Sequence, residues 1–102
     1  MFTYGKQQLT AIGDETRQML LERLRGGPLP VVELARGMRV SRPAVSQHLK
    51  VLLEAQLVQV SVAGTRRFYR LDPRGISVLR SYMDSFLDEA LGMGKGRMAG
   101  KE

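Results

Sequence analysis

Along this chain the apolar positions follow a helical rhythm, which gives way to strand alternation only between Leu57 and Leu71. Met19, Leu20, Leu21 and Leu24 recur as one face of a helix. Asp14 is placed to cap its N-terminus, and Glu15 puts a carboxylate in the first turn, where the helix dipole favours it. Gly26-Gly27-Pro28 ends that helix. A second helix is predicted from Pro30, a residue tolerated in a first turn, and it carries Val31, Leu34, Ala35 and Met38. Arg39-Val40-Ser41 is a tight connection, and Ser41 is a strong N-cap for a third helix. A step of about 100° per residue puts Val45, Leu49, Leu52 and Leu53 on one side of that helix. Pro43, Ser46, Gln47, Lys50 and Glu54 fall on the other.

Leu57 to Val62 alternates and is rich in β-branched residues, which predicts a strand. Ala63-Gly64-Thr65 supplies the turn, and Arg66–Leu71 the return strand. Asp72-Pro73 opens a last helix, with Ile76, Leu79, Met83, Phe86, Leu87 and Ala90 at helical spacing. Gly92, Gly94, Gly96 and Gly100 among basic residues predict a disordered basic tail over 92–102, which leaves 1–91 as the folded domain. The expected order is α-α-α-α-β-β-α: mainly helical, with a hairpin as the only sheet. That is the winged helix-turn-helix arrangement.

With 102 residues, 43% of them hydrophobic, the chain has material for one small core. It contains no cysteine, which excludes disulfides, thiolate metal sites and thiol redox sensing. With no N-terminal apolar h-region and no long apolar run, a cytoplasmic protein without membrane contact is expected. The formal net charge is +6, and Glu33–Leu71 alone carries +5 of it. A basic excess concentrated on one segment points to nucleic acid rather than to general solubility.

The B-form major groove admits one α-helix, and short polar side chains read the base edges there. Ser46 and Gln47 suit that task, because Gln can pair bidentately with adenine and Ser can reach base or phosphate. Arg42 and Lys50 are placed for phosphates at the two ends of the helix, and the free N–H groups beside Ser41 and Pro43 can take another. A polar surface helix alone would be unremarkable. With Thr65, Arg66 and Arg67 at the tip of a basic hairpin, duplex DNA becomes the expected partner. Alternation puts Arg67 and Tyr69 on one face of the hairpin and Phe68 and Arg70 on the other, so one of the two aromatics must join the wing to the core. His48, the sole histidine, lies beside the apolar stripe and is expected to be packed and hydrogen-bonded. One imidazole and no Cys cannot build a tight transition-metal site, and Asp84, Asp88 and Glu89 are expected to be a solvated face. No nucleophile–base pair or phosphate loop appears. We therefore expect no catalysis, cofactor or metal.

These motifs resemble the ArsR/SmtB family of bacterial winged-helix repressors over roughly Leu9 to Leu71. The resemblance is carried by Ile12-Gly-Asp-Glu-Thr-Arg17, Glu33-Leu-Ala35, Val45-Ser-Gln-His-Leu-Lys-Val-Leu52, Leu57-Val58 and Gly64 through Tyr69 to Leu71. It implies a homodimer formed by the first and last helices. It also implies an inverted-repeat operator, repression of a nearby operon, and release by a signal. Ile76, Leu79, Met83, Phe86 and Leu87 are the expected dimer stripe. Two positions depart from the family pattern: Arg39 stands where Gly or Asn is usual, and Gln56 where a Gly usually ends the recognition helix. Metal-sensing members carry Cys near the second or third helix, or His and carboxylates along the last. Glu33–Met38 has no Cys and Ile76–Leu91 no His, so the chain resembles members without those sites. Two other readings stay open: a sensor of an apolar or anionic small molecule at the dimer interface, and a protein–protein module whose basic face meets an acidic partner.

Overall fold

The computed structural model describes residues 5–92. They form α1 (Lys6–Ile12), α2 (Glu15–Arg23), a 3-10 turn (Leu24–Gly26), β1 (Leu29–Pro30), α3 (Val31–Leu34), α4 (Arg42–Glu54), β2 (Val58–Ala63), β3 (Arg66–Leu71) and α5 (Pro73–Leu91). The three expected caps start their helices. Asp14 accepts from the Arg17 N–H at 3.0 Å, Ser41 from Ala44 at 3.2 Å and Asp72 from Arg74 at 2.9 Å. Each satisfies one of the donors that a helix N-terminus leaves unpaired.

The core gathers Leu20 and Leu24 from α2 and its following turn, Leu34 from α3, Val45, Leu49 and Leu52 from α4, and Leu57, Val58 and Tyr69 from the sheet side. Burying each large apolar side chain is worth roughly 1.5–3 kcal/mol. Met19 departs from the expected stripe and is 44% exposed. The helix repeat turns it away from the i, i+4 pair Leu20 and Leu24, which are the α2-side residues that reach the interior.

The hairpin pairs as expected, from Val58↔Leu71 to Ala63↔Arg66, so Gly64 and Thr65 make a two-residue turn. Gly64 takes φ +65°, a conformation open to glycine at the first turn position. The expectation of a two-stranded sheet is corrected, because β1 adds a third strand in the order β1-β3-β2, with Leu29 opposite Tyr69 and Pro30 opposite Phe68. Two residues are too few to show alternation, and Pro is admissible there because β1 is an edge strand.

At its C-terminus α4 closes with two tightening bonds, Gln56 N–H to the Leu53 carbonyl at 3.0 Å and Leu57 N–H to the Leu52 carbonyl at 2.9 Å. Gln56 adopts φ 58°, and Leu52 and Leu57, flanking it, are both fully buried. This is the Schellman arrangement with its hydrophobic contact. The start of α5 docks against that corner so closely that a Cβ on Gly75 would lie 2.2 Å from the Gln56 carbonyl oxygen. At the far end Gly92 is the left-handed C-cap of α5, so the residue expected to begin the tail instead ends the helix. The rest of the expected tail, 93–102, lies outside the described residues.

Candidate nucleic-acid interface

Because Val45, Leu49 and Leu52 are fully buried, α4 presents a fixed opposite edge. Arg42, Pro43, Ser46, Gln47 and Lys50 lie exposed along that edge, and Ser41 is exposed at its start. The Ser41 hydroxyl is engaged as the helix cap. Among the described residues, the side chains of Arg42, Ser46, Gln47 and Lys50 have no hydrogen-bond or ion-pair partner. The expected groove readers are therefore brought together and left bare.

On the hairpin Thr65, Arg66 and Arg67 are all exposed, but the arginines are not equivalent. The Arg66 guanidinium stacks 5.1 Å from the centre of the Phe68 ring. Arg70 donates to the Gln59 side-chain oxygen across the ladder at 2.9 Å. Arg67 stands opposite Val62, itself 69% exposed, and has no partner among the described residues. Tyr69, on the same face and 7% exposed, is the aromatic that joins the wing to the core. Beyond it the face outruns the body, which is why Val62 and Arg67 are both exposed.

Two sets of contacts that tie α2 to its neighbours were not foreseen from the sequence. Arg17 donates from one guanidinium nitrogen to Nδ1 of His48 at 3.1 Å and from Nε to the Ala11 carbonyl. An imidazole that accepts at Nδ1 carries its proton on Nε2. His48 is thus half-buried and hydrogen-bonded, as expected, with the Asp14 carboxylate 3.7 Å from the same nitrogen. The bond from the Arg17 backbone N–H holds the Asp14 carboxyl below the usual range. Arg23 donates to the Leu34 and Arg36 carbonyls at 2.8 and 2.6 Å, tying α2 to the end of α3. Both arginines carry ordinary helix-surface spacing, so no sequence signal marks these contacts.

The α5 stripe is open. Ile76, Met83, Phe86 and Leu87 are 38–53% exposed and Leu79 is half-buried. Leu91 and, on α1, Leu9 extend it and were not in the expected set. Among the described residues, no three His, Cys, Asp or Glu side chains converge as a metal site would require, and no helix is long and apolar enough to cross a membrane. Asp84 lies within 4.0 Å of Arg80.

A buried-backed helix with a bare polar edge, following a one-turn helix and flanked by a basic hairpin, defines the winged helix-turn-helix class. A family model described as a helix-turn-helix domain matches residues 12–61. The chain is 58% identical over 81 residues to the HTH-type transcriptional regulator Rv2034 of Mycobacterium tuberculosis, which covers 79% of this chain and 76% of that protein. The crystal structure of a possible transcriptional regulator for arsenical resistance superposes with a TM-score of 0.74 at 41% identity, covering 87% of this chain and 97% of that one. The solution structure of a homodimeric winged helix-turn-helix DNA-binding domain of Mycobacterium bovis, a possible ArsR-family regulator, shares the fold at 24% identity. Its TM-score is 0.63, and it covers 90% of this chain and 85% of its own. The chain belongs to the ArsR/SmtB family of winged helix-turn-helix transcriptional regulators.

Proposed function

We propose that the protein is a homodimeric, sequence-specific DNA-binding repressor that acts on an inverted-repeat operator. The observation that carries this reading is the bare edge of α4 beside the unpartnered Arg67. Ser46 and Gln47 read base edges in the major groove, while the Arg42 and Lys50 side chains and the Arg42 backbone N–H hold phosphates. Thr65, Arg66 and Arg67 grip the backbone or minor groove beside it. Two copies join through Ile76, Leu79, Met83, Phe86 and Leu87, with α1 alongside, which places two α4 helices on successive turns of one duplex face. The Mycobacterium bovis domain of the same fold is homodimeric, which supports the pairing of two copies. Selection of genomic fragments by the purified protein, followed by salt-dependent titration of the selected duplex, tests the proposal. A palindromic motif bound by a dimer is expected. Equal affinity for all duplexes would overturn it.

One observation favours release by a small apolar effector. A cleft of about 200 Å³, lined by Ile12, Leu21, Leu57, Leu71, Ile76 and Leu79, opens between the second half of α2 and the start of α5, at the base of the wing. The exposed Glu22–Arg25 ion pair lies on its rim. At that size it suits a ligand smaller than most cofactors. Effector screening against the protein–operator complex tests this reading.

A further inference from the structure

Three consecutive carbonyls at the C-terminus of α4 receive donors from the helices that carry the open apolar stripe. Gln7 donates from its side chain to Glu54 at 3.2 Å and Gln8 to Ala55 at 2.8 Å, both from α1. From α5, the Gly75 N–H donates to Gln56 at 2.8 Å. The last carbonyls of a helix have no partner within it, so these bonds complete α4 from outside. Gln8 differs from Gln7 in its surroundings: it is 8% exposed, and only Asp72 joins it as a buried polar residue among those described. Its acceptor, Ala55, is fully buried.

An apolar side chain of similar length would fill the same space. What the amide adds is direction, since a hydrogen bond weakens steeply as its angle departs from linearity. If α4 tilted or slid along its axis, this bond would break and leave two buried polar groups unpaired. Gln8 is followed directly by Leu9, which is 38% exposed on the outer side of α1.

We infer that Gln8 is a positioning residue that fixes the angle of α4 to α1, and through the dimer sets the distance between the two recognition helices. This inference rests on the proposed reading of α4 as groove reader and of α1 and α5 as dimer helices. Its consequence is discrimination between operators by the spacing of their half-sites.

The test compares wild type with Gln8→Met, which keeps the length and loses both donors. Gln7→Met serves as the exposed counterpart, and Gln8→Asn, whose donors fall one methylene short, is a milder variant. Amide hydrogen exchange is measured without DNA. Binding is measured on duplexes whose half-sites are moved apart one base pair at a time. In Gln8→Met, exchange should accelerate at least tenfold in α1 and the last turn of α4 but stay within twofold in β2 and β3. The preference for the native spacing over its neighbour should fall below twofold, with the sedimenting mass unchanged. Random-sequence affinity should hold within twofold. Gln8→Asn should show the same local pattern at smaller amplitude, and Gln7→Met should resemble wild type. Uniform acceleration of exchange throughout the chain, or an intact spacing preference in Gln8→Met, would overturn the inference. If the wild type prefers no duplex sequence at all, the functional proposal fails, and the exchange pattern still decides whether Gln8 holds α4.

Discussion

Gln56 is the single non-glycine residue with positive φ among those described, and it sits where α4 turns toward the wing. A side chain in that conformation costs on the order of 1 kcal/mol, so Gln56→Gly is expected to raise stability by up to about 1 kcal/mol, read as a higher urea midpoint at unchanged slope. Asp72 makes the opposite kind of contribution. It is fully buried, caps α5 and pairs with Arg74 at 2.7 Å. The Arg74 side chain holds its carboxyl below the ordinary value of 3.8. A depressed carboxyl stabilises the fold at higher pH, and that stability is lost as pH falls through the folded value. Asp72→Asn should therefore cost about 1–2 kcal/mol near neutrality. The gap from wild type should close progressively as pH drops below 3.8. Urea titrations at a series of pH values measure it.

At the level of elements, the proposed reading divides the work between helix and wing. Gln47→Ala should cost roughly 1–3 kcal/mol and flatten preference at one base pair per half-site. Arg67→Ala should weaken all sequences alike and reduce the salt slope by about one unit per protomer. Because Arg66 is stacked on Phe68, its removal is expected to disturb the wing as well as the phosphate contact. Operator titrations at several salt concentrations separate these outcomes. The elements were legible where a cap and a period coincide, as at Asp14, Ser41 and Asp72, or where alternation runs for six residues, as in β2 and β3. The edge strand β1 was not, since a two-residue pairing completed by Pro30 leaves no local pattern. The staples made by Arg17, Arg23 and Gln8 were not either. Each joins residues distant in sequence, and its polar partner is a backbone carbonyl or a ring nitrogen, which composition does not reveal.

For the whole molecule, the open stripe on α5 was legible as i, i+3 and i+4 apolar residues, which Leu91 continues four positions after Leu87, whereas the exposure of Leu9 on α1 required the fold. Leu79→Glu should shift the sedimenting species toward monomer and weaken operator binding in parallel. A monomer that retained full affinity would contradict the dimer reading. Zn, Ni, Cd and arsenite at micromolar levels should leave operator affinity within twofold, because Cys is absent and His48 is committed to Arg17. Titrations of untagged protein with and without chelator measure this.

The nineteen-residue helix α5 contributes a single buried residue, Gly75, to its own subunit. On the proposed reading, the exposed part of its apolar stripe, Met83, Phe86, Leu87 and Leu91, is covered by a second chain, and assembly becomes a matter of abundance. If the operator takes up only paired chains, its occupancy at low concentration follows the square of the amount of free chain. Doubling synthesis then raises occupancy about fourfold by mass action. On that condition the protein reads its own copy number, and a repressed promoter that also drives it would settle at a set point rather than switch fully off.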